Sequence, residues 1–114
     1  MKKITLLASI VGLSLISSIA NAACNRDECY GKGAQVVSSM MVHEGGVYII
    51  PPESSRNNLD CQLDGTSMTL NKNHPYFDEV YSTILTAMAA GNNLMVRIKN
   101  GSKGCQVSYA RIYY

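Results

Sequence analysis

Cys24, Cys29, Cys61 and Cys105 follow an export signal in this chain, and the combination constrains the fold more than any other feature. Met1-Lys2-Lys3 is a short basic start, and Ile4 to Ile19 is apolar and uncharged. Ala20-Asn21-Ala22 then places small residues at the −3 and −1 positions of a signal peptidase site. Residues 1–22 are therefore expected to be a signal peptide, cleaved between Ala22 and Ala23. The apolar run is shorter than the roughly 20 residues that span a bilayer, so no membrane insertion is expected after cleavage. Lipidation of Cys24 is disfavoured because Asn21 stands where a lipoprotein signal carries Leu or a similar apolar residue. Export, to the periplasm or the medium, puts the cysteines where disulfides persist.

Four cysteines allow three connectivities, of which Cys24–Cys29 with Cys61–Cys105 is the expected one. The first bridge closes a short local loop, and the second ties two distant elements together. Closing a loop of about 45 residues stabilises by roughly 3–4 kcal/mol in the chain-entropy model. A zinc site would need tighter Cys spacing and a nearby His, but His43 and His74 adjoin no Cys. No metal or cofactor is expected.

Removing the signal leaves 92 residues, enough for one domain over 23–114 with a single, marginal core. It also removes Lys2 and Lys3, so that eight Lys and Arg balance eight Asp and Glu. The apparent basic character disappears, and with it the electrostatic case for nucleic acid or anionic lipid as a partner.

Residues 23–34 are polar, with two Cys and two Gly, and suggest an irregular, stapled lead-in. Gln35 to Val42 and Val47 to Ile50 flank Glu44-Gly45-Gly46 and predict a β-hairpin, ended by Pro51-Pro52. A third strand fits Thr66 to Asn71, with Thr66, Met68 and Leu70 on one face and a wet opposite face. Pro75 at a helix start, Asp78 and Glu79 in the first turn and Gly91 at the stop predict a helix over Pro75 to Ala90. Phe77, Tyr81, Ile84, Leu85 and Met88 form its apolar stripe, widened by Val80 and Ala87. Leu94, Val96 and Ile98 then alternate as a half-buried strand, and Asn100 to Gly104 turns it into a last strand, Cys105 to Tyr113. The apolar phase of that strand switches near Tyr109, which implies a bulge or a twist onto a second sheet. Tyr81 and Tyr109 are expected in the core, and Met40 and Met41 are expected to divide between core and surface.

The expected fold class is mainly β with one helix, in the order β-β-β-α-β-β of an OB-fold-like five-stranded barrel. In that topology the third and fifth strands are neighbours, which agrees with a Cys61–Cys105 bridge. The alternative is an open α+β sheet with one packed helix.

Tyr81 to Gly91, Leu94 to Lys99 and Gly104 to Tyr109 resemble the helix–strand–turn–strand half of small secreted bacterial proteins. More distantly they are similar to the OB-fold binding subunits of AB5 toxins of the subtilase-cytotoxin type. The resemblance covers about the C-terminal third of the chain. It implies a ring-forming, glycan-binding module, and it carries no glycan-contacting residue onto a numbered position here.

The residues themselves offer no catalytic set: there is no nucleophile elbow, and the cysteines are expected to be oxidised. His43 and His74 are expected as exposed turn residues, and His43 and Glu44 point to opposite strand faces. Asp78 and Glu79 are explained by the helix N-terminus, and Asp64-Gly65 by an ordinary turn. What remains is recognition. Tyr48, Tyr113 and Tyr114 offer amphipathic rings, and Ser54, Ser55, Arg56, Asn57 and Asn58 form a polar loop. The expectation is a non-catalytic exported module that binds a glycan or a protein, with homo-oligomerisation included. The second expectation is an inhibitor or accessory protein that inserts the 53–60 loop into a partner enzyme.

Overall fold

A computed structural model describes residues 21–114, so the predicted signal peptide lies outside the described residues except for Asn21 and Ala22. The chain runs through β1 (Ala23–Cys24), β2 (Glu28–Lys32), α1 (Gly33–Val36), β3 (Ser39–His43) and β4 (Gly46–Ile50). A short 3-10 turn (Arg56–Asn58) precedes β5 (Met68–Asn71), α2 (Phe77–Ala90), β6 (Asn93–Ile98) and β7 (Val107–Tyr113). Strands β1-β2-β6-β7 form one antiparallel sheet and β3-β4-β5 a second.

The mainly β class with one long helix is as expected, but the strands do not close into a five-stranded barrel. The sheets meet through isolated parallel bridges, Gln62 with Lys103 and Thr69 with Gln106, instead of a continuous ladder. Closure is interrupted where α1 divides the chain between β2, which pairs with β6, and β3, which pairs with β4. The turn of α1 is wedged against α2: a Cβ on Gly33 would lie 2.7 Å from the Ala87 carbonyl carbon.

Residues 23–34, expected to be irregular, instead hold β1, β2 and the start of α1. Their polarity hides the strand because Cys29 is the residue of β2 that faces the core, whereas Glu28 and Tyr30 face outward. Cys24 and Cys29 are register partners across β1 and β2, with Cα atoms 4.0 Å apart, and the expected local bridge joins them. The second expected bridge, Cys61–Cys105, also forms. The hairpin is present, although its first strand starts at Ser39 instead of Gln35 because α1 takes Gly33–Val36. Met40 packs against the core while Met41 is exposed, the division expected of them.

The core lies between the sheets and under α2. Val47, Ile49, Met68 and Leu70 enter it from one sheet, and Leu94, Val96 and Ile98 from the other. Asp78 and Glu79 sit in the first turn of α2, and Gly91 ends the helix in the left-handed conformation that glycine adopts without steric cost. The buried stripe is Val80, Ile84 and Ala87, with Phe77, Tyr81 and Met88 half-buried beside it, while Leu85 is exposed. The stripe is rotated because α2 packs against α1 as well as β5, β6 and β7. Fully burying Ile84 contributes about 1.5–3 kcal/mol.

The expected phase switch in the last strand is a bulge. Arg97 pairs with Tyr109 and Ile98 with Val107, so Ser108 is an extra residue. The insertion brings Val107, Ala110 and Ile112 to the core side and leaves Tyr109 outward and exposed, contrary to the core position expected for it.

Candidate binding cleft

A cleft of about 400 Å³ opens where the two sheets meet. One wall is Gln62-Leu63-Asp64, the other is Lys103-Gly104 with Gln106, and Thr69 and Asn71 of β5 complete the lining. The Cys61–Cys105 bridge joins the bases of the two walls, with Cα atoms 5.0 Å apart. Backbone bonds fasten them further: Gln62 N–H donates to the Ser102 carbonyl at 2.9 Å, and Thr69 N–H donates to the Cys105 carbonyl at 3.1 Å. Asp64 is held in a tight turn in which it and Ser67 exchange backbone hydrogen bonds of 3.0 Å each. The polar groups are thus mounted on a frame closed by a disulfide and by backbone hydrogen bonds.

Leu63 is the one large apolar side chain in this lining. The remainder offers three side-chain amides, a carboxylate, an ammonium and a hydroxyl. Each amide presents both a donor and an acceptor. Thr69 Oγ1 is buried and has no hydrogen-bond partner, and a Cβ on Gly104 would approach it to 3.3 Å. Lys103 is exposed and has no ion-pair partner among the described residues, whereas Arg26 and Arg97 pair with Asp60 and Asp27 at 3.2 and 3.6 Å.

Tyr48, a sequence-predicted binding residue, borders this cleft. It is the register partner of Thr69 and Met41, and the Asp64 carboxylate lies beside its hydroxyl. Hydrogen bonding to Asp64 first, then the negative charge, raises the phenol pKa above its ordinary 10.0. His43 stacks on the Tyr48 ring with centroids 4.1 Å apart and accepts the Gly45 N–H at Nδ1, 3.2 Å away. It is therefore a half-buried, bonded ring that fixes Tyr48, not the free turn residue expected. His74 is likewise half-buried and bonded at both ring nitrogens.

The other predicted residues lie elsewhere. Ser55 Oγ accepts the Cys24 N–H at 2.7 Å and Asn58 Nδ2 donates to the Cys24 carbonyl at 3.2 Å, so both pin β1. Arg56 opens the 3-10 turn, its N–H bonded to the Pro52 carbonyl at 3.0 Å, and Asn57 is exposed. Ser54 lines a larger hollow of about 710 Å³, one wall of which is Asn21 and Ala22, assigned by sequence to the removable signal. Tyr113 lines a third hollow, about 300 Å³, with Tyr30, Met95 and Arg111. Tyr114 is exposed.

Gln62, Asp64, Thr69, Asn71, Lys103 and Gln106 were not distinguishable by residue type. The usable signal was the expected bridge: four of the six lie within three residues of Cys61 or Cys105, so pairing the cysteines gathers them. The chain matches no family model, and comparison with curated proteins and with solved structures finds no relative. Among the described residues no helix is long and apolar enough to cross a membrane, and no three His, Cys, Asp or Glu side chains gather as metal ligands would.

Proposed function

We propose that this chain is an exported, non-catalytic recognition module of OB-like architecture that binds glycan hydroxyls in the cleft beside Tyr48. The observation that carries the reading is that Gln62, Asn71, Gln106 and Asp64 all line one disulfide-framed cleft. A sugar ring presents closely spaced hydroxyls, each both donor and acceptor. Planar amides and a carboxylate match that pattern, and a site built to bond hydroxyls discriminates against ligands that lack them. Tyr48 adds an apolar ring at the rim. The OB-like element of the reading is supported by the strand order and by the parallel Thr69–Gln106 bridge, which brings the segment before β7 beside β5. Two disulfides are compatible with an oxidising compartment outside the cytoplasm.

A glycan array on the purified domain 23–114 tests the reading, followed by titration calorimetry on the best ligand. Asn71→Ala and Gln106→Ala should each weaken binding roughly tenfold, the effect expected from losing one hydrogen-bonding group. Tyr113→Ala, on the far sheet, should leave affinity unchanged. Absence of binding to every glycan, or loss of binding in Tyr113→Ala alone, would reject the cleft as the site.

A further inference from the structure

Strand β3 ends the second sheet, and its outer edge has no partner among the described residues. Exposed edges invite pairing with another chain, and proteins usually blunt them with lysine, proline, a bulge or an inward charge. Ser39–His43 carries none of these: the sequence is Ser-Met-Met-Val-His, and its register with β4 is unbroken over all five residues. The edge is also apolar, with Met41 56% and Val42 62% exposed. An apolar, uncharged edge without a bulge favours strand pairing.

We propose that β3 pairs antiparallel with β3 of a second copy, forming a two-fold dimer with a continuous six-stranded sheet. The strand suits itself as a partner. Pairing centred on Met41 sets Met41 against its own counterpart, Met40 against Val42, and Ser39 against His43. No like charges are opposed within the strand, and the exposed Val42 gains Met40 of the other copy as an apolar neighbour. The contact is isologous and closes at two copies.

The two-fold axis runs perpendicular to the sheet, so both copies present the same face. Met41, Tyr48 and Thr69 are register partners in one row across β3, β4 and β5. Pairing continues the row into Met41, Tyr48 and Thr69 of the second copy. At about 4.8 Å per strand, the two Thr69 residues lie roughly 24 Å apart on one face. Provided the cleft is a glycan site as proposed above, the dimer is bivalent toward a glycan-bearing surface, and its avidity exceeds the affinity of one cleft.

Sedimentation velocity over a concentration series tests the dimer without reference to any ligand. The wild-type domain should be dimeric at high concentration. Met41→Lys and Met41→Glu should each weaken dimerisation roughly tenfold or more, since each opposes like charges at the axis and removes an apolar contact. An equimolar mixture of the two variants should recover dimer, because the charges then oppose as Lys to Glu. A monomeric wild type, or a dimer indifferent to both variants, overturns the proposal. Circular dichroism on each variant separates loss of pairing from loss of fold. Binding of soluble monovalent glycan should be equal in wild type and Met41→Lys, whereas retention on a glycan-coated surface should fall with the dimer. Failure of the glycan reading would therefore leave the sedimentation result standing.

Discussion

His74 binds the bulge carbonyl of Ser108 through Nε2, 2.7 Å away, while its Nδ1 accepts the Tyr76 N–H at 2.9 Å. An acceptor at Nδ1 places the proton on Nε2, which fixes the tautomer as well as the ring. One side chain thereby ties the N-cap of α2 to the bulge of β7. The bulge has a packing consequence, because the extra residue at Ser108 is what puts Val107, Ala110 and Ile112 on the same side of the strand.

Replacing His74 by Ala should leave the partly buried Ser108 carbonyl and the N–H of Tyr76, the N-cap residue of α2, without this partner. The expected cost is about 1–3 kcal/mol, read as a lower urea midpoint with an unchanged slope. An unchanged midpoint would mean that water serves both groups as well as the imidazole does. Nitrogen NMR of the wild-type ring should report Nε2 as the protonated atom.

The contrast between α2 and β2 explains which parts of the fold could be read from sequence. The helix carries its own punctuation, with acidic residues in the first turn and a glycine at the stop, and its ends were located to within two residues at the start and none at the finish. Its face was less legible, since the burial of Val80 over Leu85 depends on where α1 lies. Strand β2 has a polar sequence and one core-facing residue, so what makes it a strand is pairing with β6, a partner more than sixty residues away. The cleft is a stronger case of the same effect. Its residues come from three separated segments and have common surface side chains, and only the bridge between Cys61 and Cys105 indicates that they meet. Tyr48 was recognisable as an amphipathic ring, whereas Ser55 and Asn58 were not recognisable as braces for β1.

The Asp64 carboxylate beside Tyr48 has a spectroscopic consequence. Hydrogen bonding and charge from Asp64 favour the neutral phenol, so Tyr48 should ionise above the ordinary value of 10.0. Because the raised value comes from a carboxylate, Asp64→Ala should bring it down toward that ordinary value. Ring-resolved NMR titration of Tyr48 in both proteins measures the difference. A Tyr48 that titrates identically in the two would place Asp64 away from its hydroxyl.

The two disulfides should contribute unequally. Cys61–Cys105 closes a loop of 44 residues and Cys24–Cys29 one of 5, and the chain-entropy contribution grows with loop length. Replacing Cys61 and Cys105 together by Ser should cost about 3–4 kcal/mol, with a smaller loss for the Cys24 and Cys29 pair. The long bridge also joins the two walls of the cleft, so its removal should weaken glycan binding at temperatures where the domain still folds. The short bridge, on β1 and β2, should not affect that affinity. Peptide mapping without reduction checks the connectivity directly.

Gly45 and Gly46 are neighbours in the β3–β4 turn, yet substitution should affect them very differently. Gly46 has φ +138°, a conformation that side chains rarely adopt, and it pairs with His43 on one side and Asn71 on the other. A Cβ there would overlap the Leu70 carbonyl oxygen and approach the Lys72 nitrogen to 2.9 Å. Both are backbone atoms of the adjoining strand and its exit, so relief requires β4 and β5 to separate. Gly45 lacks the positive φ, and a Cβ there would meet only the His43 ring, at 3.0 Å from Cε1, so that a few tenths of an ångström of movement in one side chain relieves the contact. Gly46→Ala should therefore destabilise by about 2 kcal/mol or more, combining backbone strain with overpacking, while Gly45→Ala should cost well under about 1 kcal/mol. Thermal melts of the two variants measure the difference. Equal losses would mean that the turn tolerates strain by opening, and that the register joining β3, β4 and β5 is not held at Gly46.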